Sequence, residues 1–316
     1  MVFAHLPGWL GSSGIILPRS IIISKYIYSF HMPLMFMISG YVQGMKDYRT
    51  SSWLHWVKKS AVDLYLPCMI LSLAQWFIMY FIFSRSNPAN FVAVTIQELA
   101  IIPLEGLKEY WFLAALFFIK VIHSSFGCSS CPEKIHSAFW VIVFMFPLCA
   151  EKFLPVNISC GLYFHIGYIL KRSDYISREK NLGVIAGLML LISGAIFFFV
   201  PYASDSINIF TGICAALCSC FGLFAMFYAM GVNYSWLVIC GLYSMVIYCL
   251  HNWITACFRM IFTVTGLSSS SEPVMMFTAA FVPAMILPLL CVWLYKNVKR
   301  LRWIEYIFYP GKLLRK

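Results

Sequence analysis

Histidine is scarce in this chain, seven in 316 residues, and two of the seven stand where an ionisable ring is costly. His31 lies at the start of the apolar run Phe30–Gly44, which also carries Pro33 and closes on Ser39-Gly40 and Gly44. His251 lies deeper in another apolar stretch, with Ser244, Ile247 and Tyr248 seven, four and three residues before it. At helical spacing those residues share one face and form a polar stripe of the kind that lines cavities or joins helices. Polar groups in a bilayer usually face protein or an aqueous cavity. A neutral imidazole near its ordinary pKa is suited to take a proton from an attacking hydroxyl. The competing readings are an interfacial cap for His31 and a hydrogen-bonded structural ring for His251.

A third pattern involves cysteine. Cys128-x-x-Cys131, flanked by His123 and His136, has a spacing compatible with zinc. The loop is short and rich in Ser, and thiols on a reducing side of a membrane are commonly plain. No metal is therefore expected. Most of the twelve cysteines fall inside apolar stretches, where a thiol behaves as a small hydrophobe, so no disulfide framework is implied.

The elements that must position these groups are membrane helices. Apolar residues make up 61% and charged residues 11% of the chain, and mean hydropathy is +0.82. Those values lie outside the range of a soluble domain. At roughly 20 residues per span the chain holds about nine or ten spans and little else. We expect an all-α polytopic bundle, one domain over 1–316, with a basic cytoplasmic tail at about 296–316. Spans are predicted at about 29–45, 61–83, 110–122, 138–150, 156–170, 182–201, 207–231, 236–262 and 274–295. The first of these places Pro33 within an opening helical turn, where its missing N–H is tolerated. It also puts Met35, Ile38 and Val42 on the face of His31.

The net charge of +11 follows topology and gives no reason to invoke nucleic acid. Lys46, Arg49, Lys58 and Lys59 follow the first full span, a second basic group follows the fifth, and a third ends the chain. All fall on one side, which the positive-inside rule makes cytoplasmic. Residues 1–28 then lie outside, and they lack the charged and apolar regions of a secretory signal. No phosphate-binding glycine loop is present.

Four segments in order resemble the acyltransferase 3 family of membrane O-acyltransferases. They are Phe30–Tyr41 with its His-Met-Pro and Ser-Gly, Glu109–Phe117 with Trp111-Phe112-Leu113, Tyr163–Tyr168 with Gly167, and Gly241–His251 with Ser244, Ile247, Tyr248 and His251. The wording of the first is most similar to the branch resembling fucose 4-O-acetyltransferases. The resemblance implies transfer of acetyl from acetyl-CoA to a hydroxyl of a surface polysaccharide or lipid-linked glycan precursor, at the bacterial inner membrane. It implies no tightly bound cofactor.

Residue by residue, the resemblance makes His5 the first candidate for the base, because Val2-Phe3-Ala4-His5 matches the His end of the family's first span. The Arg that precedes that His in the family would lie before Met1, so the chain departs from the pattern there. A start codon placed too late, or a truncated and inactive product, would each account for it. His31 is the second catalytic candidate. Trp111, Ser244, His251 and Arg259 are candidates for substrate binding, Arg259 as a cation or as a residue snorkelling to the interface. Lys46, Arg49, Lys58 and Lys59 are candidates for the phosphates of acyl-CoA, though charge bias alone explains them. Glu98, Glu105 and Glu109 read as solvated loop carboxylates or acceptor contacts. The reading from another class is a flippase for a polyprenyl-linked glycan, with His31 and His251 lining a path.

Overall fold

The computed structural model describes residues 18–82, 94–129, 131–149, 157–173, 181–199, 205–231, 234–265 and 273–312, and every regular element among them is helical. Among the described residues thirteen α-helices run in order. They are α1 (Pro18–Gly44), α2 (Trp53–Ser60), α3 (Leu66–Phe77), α4 (Glu98–Glu105), α5 (Trp111–Cys128), α6 (Glu133–Cys149), α7 (Gly161–Arg172), α8 (Leu182–Phe199), α9 (Asp205–Met230), α10 (Ser235–Leu242), α11 (Ser244–Val264), α12 (Pro273–Asn297) and α13 (Arg302–Phe308). Among the described residues five stretches are long and apolar enough to cross a bilayer, Trp53–Phe81, Glu98–Cys128, Thr211–Met230, Ser244–Phe262 and Thr278–Asn297. Many of their large apolar side chains face outward, Leu73, Phe77, Leu287 and Trp293 among them. Water would penalise that surface and hydrocarbon does not. The protein is an all-α polytopic membrane protein.

Helix α5 is the axis of the core. Phe112 through Leu116 and Ile119 are buried along it, against Phe36 of α1, Trp140 of α6, Phe164 of α7 and Tyr248 of α11. Such a helix, apolar on nearly every side, suits the centre of a bundle.

Close approach of α1 and α7 depends on two glycines. A Cβ on Gly40 would sit 1.8 Å from the Phe164 carbonyl oxygen, and one on Gly167 would sit 1.9 Å from that of Met37. Both neighbours are backbone and cannot turn aside. Small residues that let backbones meet are the usual means of joining helices where lipid competes for apolar contact. On the other flank, the Tyr26 hydroxyl of α1 reaches Ser193 of α8 at 3.0 Å and Ser219 of α9 at 3.1 Å. Helix α1 is thereby held from two sides, which fixes the rotation of everything it carries.

Helix boundaries correct the sequence reading in two places. Helix α1 begins at Pro18, eleven residues before the predicted start, so His31 and Pro33 lie well inside it. The run from Ile21 to Ile27 is interrupted only by Ser24, Lys25 and Tyr26, and a long helix carries one charged residue without breaking. The stretch predicted as one span over 236–262 is two helices, broken at Tyr243, whose φ of −108° and ψ of 17° leave the helical region.

Candidate functional site

His31 of α1 and His251 of α11 both lie toward one end of α5. His31 is 7% exposed and His251 is 1% exposed. Nδ1 of His31 lies 3.2 Å from the carbonyl oxygens of both Ile27 and Tyr28. Nδ1 of His251 lies 3.1 Å from the oxygen of Ile247 and 2.7 Å from that of Tyr248. Carbonyls only accept, so each Nδ1 carries the proton and donates it to its own preceding helical turn. In the neutral ring the basic nitrogen is then Nε2. Two helices thus orient two imidazoles in one tautomer, and the rings lie within electrostatic range of each other.

The neighbouring groups come from three further segments. Glu109, in the short 3-10 turn before α5, accepts from Gln75 Nε2 of α3 at 3.0 Å and lies within range of the Asn252 side chain, next in sequence to His251. The Tyr248 hydroxyl donates to the Glu109 carbonyl oxygen. Tyr110, fully buried, donates to the Cys249 carbonyl at 3.3 Å and accepts from Trp253 Nε1 at 3.1 Å. Trp111 is half-buried, with its ring 6.3 Å from Phe36. Glu109 is therefore a hydrogen-bonded member of this end and not the solvated loop carboxylate that its neighbours suggested.

Other expected members do not join. Ser244 is exposed: it is the first residue of α11, two turns before His251, at the open end of that helix. The predicted face of His31 also divides. Met35 packs on the core, whereas Ile38 and Val42 are 41% and 47% exposed, so only the part of the stripe near His31 lies inside the protein. His5 lies outside the described residues. Arg259 sits in α11 and Arg49 in the 3-10 turn Tyr48–Thr50, and the side chains of both lie outside the described residues.

At the other end of α5 the basic residues gather. Lys46 is half-buried within range of Lys59 and Asp63, and burial, then the Lys59 charge, lowers its pKa, while Asp63 partly offsets the shift. Lys59 also lies 5.7 Å from the ring centre of Trp56, and Lys58 is exposed. Sequence reasoning missed the member that completes this group. Lys120, halfway along α5, lies within range of Lys46, Lys59 and Asp63. The signal was available, since a lone lysine in an apolar span is by default functional. Three cations around one carboxylate leave an excess of positive charge that an anion would relieve. From Trp111 to Lys120 is nine residues of helix, about 14 Å.

A second histidine group occupies the region where α5, α6 and α7 meet. His123, His136 and His165 are 0%, 6% and 2% exposed, and one ring nitrogen from each lies within 4.8 Å of the others. The cysteines of Cys128-x-x-Cys131 do not take part. Cys128 Sγ donates to the Tyr48 carbonyl at 3.5 Å, and Cys131 Sγ lies 3.8 Å from the oxygen of Pro132. His165 is distant in sequence from the other two, so spacing alone concealed it.

The described residues thus form an all-helical membrane protein with two imidazoles of defined tautomer toward the start of its core helix and a cationic cluster that includes the mid-helix Lys120. A family model described as an acyltransferase domain matches residues 1–293. The chain belongs to the acyltransferase 3 family and is a membrane acyltransferase. No curated protein and no solved structure matches it significantly.

Proposed function

We propose that this protein transfers acetyl from acetyl-CoA to a hydroxyl of a surface polysaccharide or lipid-linked glycan precursor, in the inner membrane with its C-terminus cytoplasmic. The observation that carries the reading is the pair His31 and His251, each with Nδ1–H committed to helix carbonyls and Nε2 left as the basic nitrogen. The acceptor hydroxyl attacks the thioester carbonyl carbon and its proton passes to Nε2 of His31. The tetrahedral intermediate collapses, the C–S bond breaks, and the CoA sulfur leaves with the electron pair and takes a proton. His251, Glu109 and Trp111 hold the acceptor. Arg259 is assigned to the developing oxyanion, which requires a donor or a cation.

His5 remains the base that the family resemblance implies, and in that case His31 orients the acceptor. The phosphates of the donor sit at Lys46, Lys59 and Lys120, with Arg49 and the exposed Lys58 as further candidates. The acyl-bearing arm then runs along α5 toward Trp111. The similarity of Phe30–Tyr41 to the fucose 4-O-acetyltransferase branch points to a deoxyhexose or related sugar as acceptor.

The test is mass spectrometry of surface polysaccharide from cells with the gene, without it, and with His31→Ala or His251→Ala. One acetyl group per repeat with the intact gene, absent in the deletion and reduced at least about 100-fold in His31→Ala, supports the reading, since a general base contributes about 10²–10⁴ in rate. Wild-type acetylation in His31→Ala removes His31 from the chemistry. Loss of surface glycan with unchanged acetylation in the deletion would instead identify a flippase.

A further inference from the structure

The buried histidine trio lies twelve residues of α5 beyond Trp111, on the side of Lys120 and away from His31 and His251, and its hydrogen bonds define its protonation. Ser137 Oγ donates its one proton to the Glu133 carbonyl at 2.8 Å, so at 2.9 Å from His165 Nε2 it can only accept. His165 is therefore protonated on Nε2 and offers a lone pair on Nδ1. That nitrogen lies 3.3 Å from His123 Nε2. Trp140 Nε1, which can only donate, reaches His136 Nε2 at 3.0 Å, so this nitrogen also carries a lone pair. His123 Nδ1 is fully buried and has no hydrogen-bond partner. His123 Nε2 donates to the His165 Nδ1 lone pair, and ligation of an ion would move that proton to Nδ1 and present a third lone pair to the group.

We infer that His123, His136 and His165 form a binding site for one divalent transition-metal ion of the zinc class. Imidazole nitrogens suit such ions. With metal–nitrogen bonds of about 2.1 Å, a tetrahedral site separates its ligands by about 3.4 Å, and the His123 and His165 nitrogens already stand at 3.3 Å. The ring centres are 4.3, 4.4 and 5.5 Å apart, and all three come from helices packed in the core.

The bond from His165 Nε2 to Ser137 and on to the Glu133 carbonyl is the outer support that orients a ligating imidazole. His136 would exchange its bond from Trp140 for the ion. A cavity of about 330 Å³ reaches His136 and is also lined by Asp47, Cys131, Glu133, Tyr168 and Arg172, which provides an approach for the ion and room for a fourth ligand.

Titration of the untagged full chain in detergent with Co²⁺ tests the assignment, because tetrahedral cobalt absorbs visibly. The expected result is one equivalent of Co²⁺ with tetrahedral bands, displaced by Zn²⁺, and a higher melting temperature with Zn²⁺. His165→Gln should abolish the bands. Ser137→Ala, which keeps all three ligands, should weaken binding about 10–100-fold while the metal-free protein still elutes like wild type. Absence of stoichiometric uptake by the wild-type chain overturns the site, as does uptake left unchanged by either variant. The trio would then be a hydrogen-bonded group of neutral rings.

Discussion

Gly167→Ala should impair both stability and turnover, although the residue is not in the proposed chemistry. The added Cβ would stand 1.9 Å from the Met37 carbonyl oxygen, 2.8 Å from its carbon and 3.0 Å from the Tyr41 nitrogen, all backbone of α1. To restore even the tightest contact that Cβ atoms show, 3.0 Å, α1 must retreat by about 1.1 Å at that point. Overpacking of this kind costs about 1–3 kcal/mol, and the upper end applies because no flexible side chain can yield.

Met37 and His31 are six residues apart in one helix, about 9 Å, so a rigid shift of α1 reaches the imidazole nearly undiminished. A misplacement of about 1 Å at a catalytic group can cost about 100-fold in rate. Gly187→Ala supplies the control, since Gly187 lies in α8 and a Cβ there meets nothing within 4 Å. Helix propensity alone should make that variant neutral or more stable by about 0.5–1 kcal/mol. Melting temperature in detergent and single-turnover acetylation would be measured for both. If the two variants matched in stability and rate, the close crossing of α1 and α7 would not be what positions His31.

Other perturbations separate the two ends of α5. Lys120→Met should raise KM for acetyl-CoA about tenfold with kcat unchanged, and reduce its dependence on salt, because a charge-assisted bond to phosphate is worth about 1.5–3 kcal/mol; steady-state kinetics at two ionic strengths would check this. Glu109→Ala leaves the buried Gln75 amide without its partner and should destabilise by about 1–3 kcal/mol, whereas Glu109→Gln keeps an acceptor there and should melt within a few degrees of wild type. Tyr110→Phe removes the acceptor of Trp253 Nε1 and the donor to Cys249, and should cost about 1–3 kcal/mol in denaturant or thermal unfolding.

Residue type revealed the helices but not their partners. Runs such as Leu182–Phe199 and Pro273–Asn297 are legible because hydrocarbon selects composition directly, and α8 and α12 fall within a few residues of their predicted limits. The start of α1 was hidden by Arg19 and Lys25, since hydropathy averages over charges that a helix end accommodates. Ser244 was placed with Tyr248 and His251 and does share their helix, but it is the first residue of α11 and lies at an exposed end, and periodicity does not mark where a helix begins.

The histidines show where local pattern stops. His31 and His251 each betray themselves alone, as ionisable rings in apolar runs. His123 and His136 suggested a metal only through Cys128 and Cys131, and the actual third member, His165, is reached through the crossing of α7 beside α5 and α6. Helix period places a side chain on a face, but only the packing of the helices determines which faces meet. In this fold that depends on details as small as the missing Cβ atoms of Gly40 and Gly167.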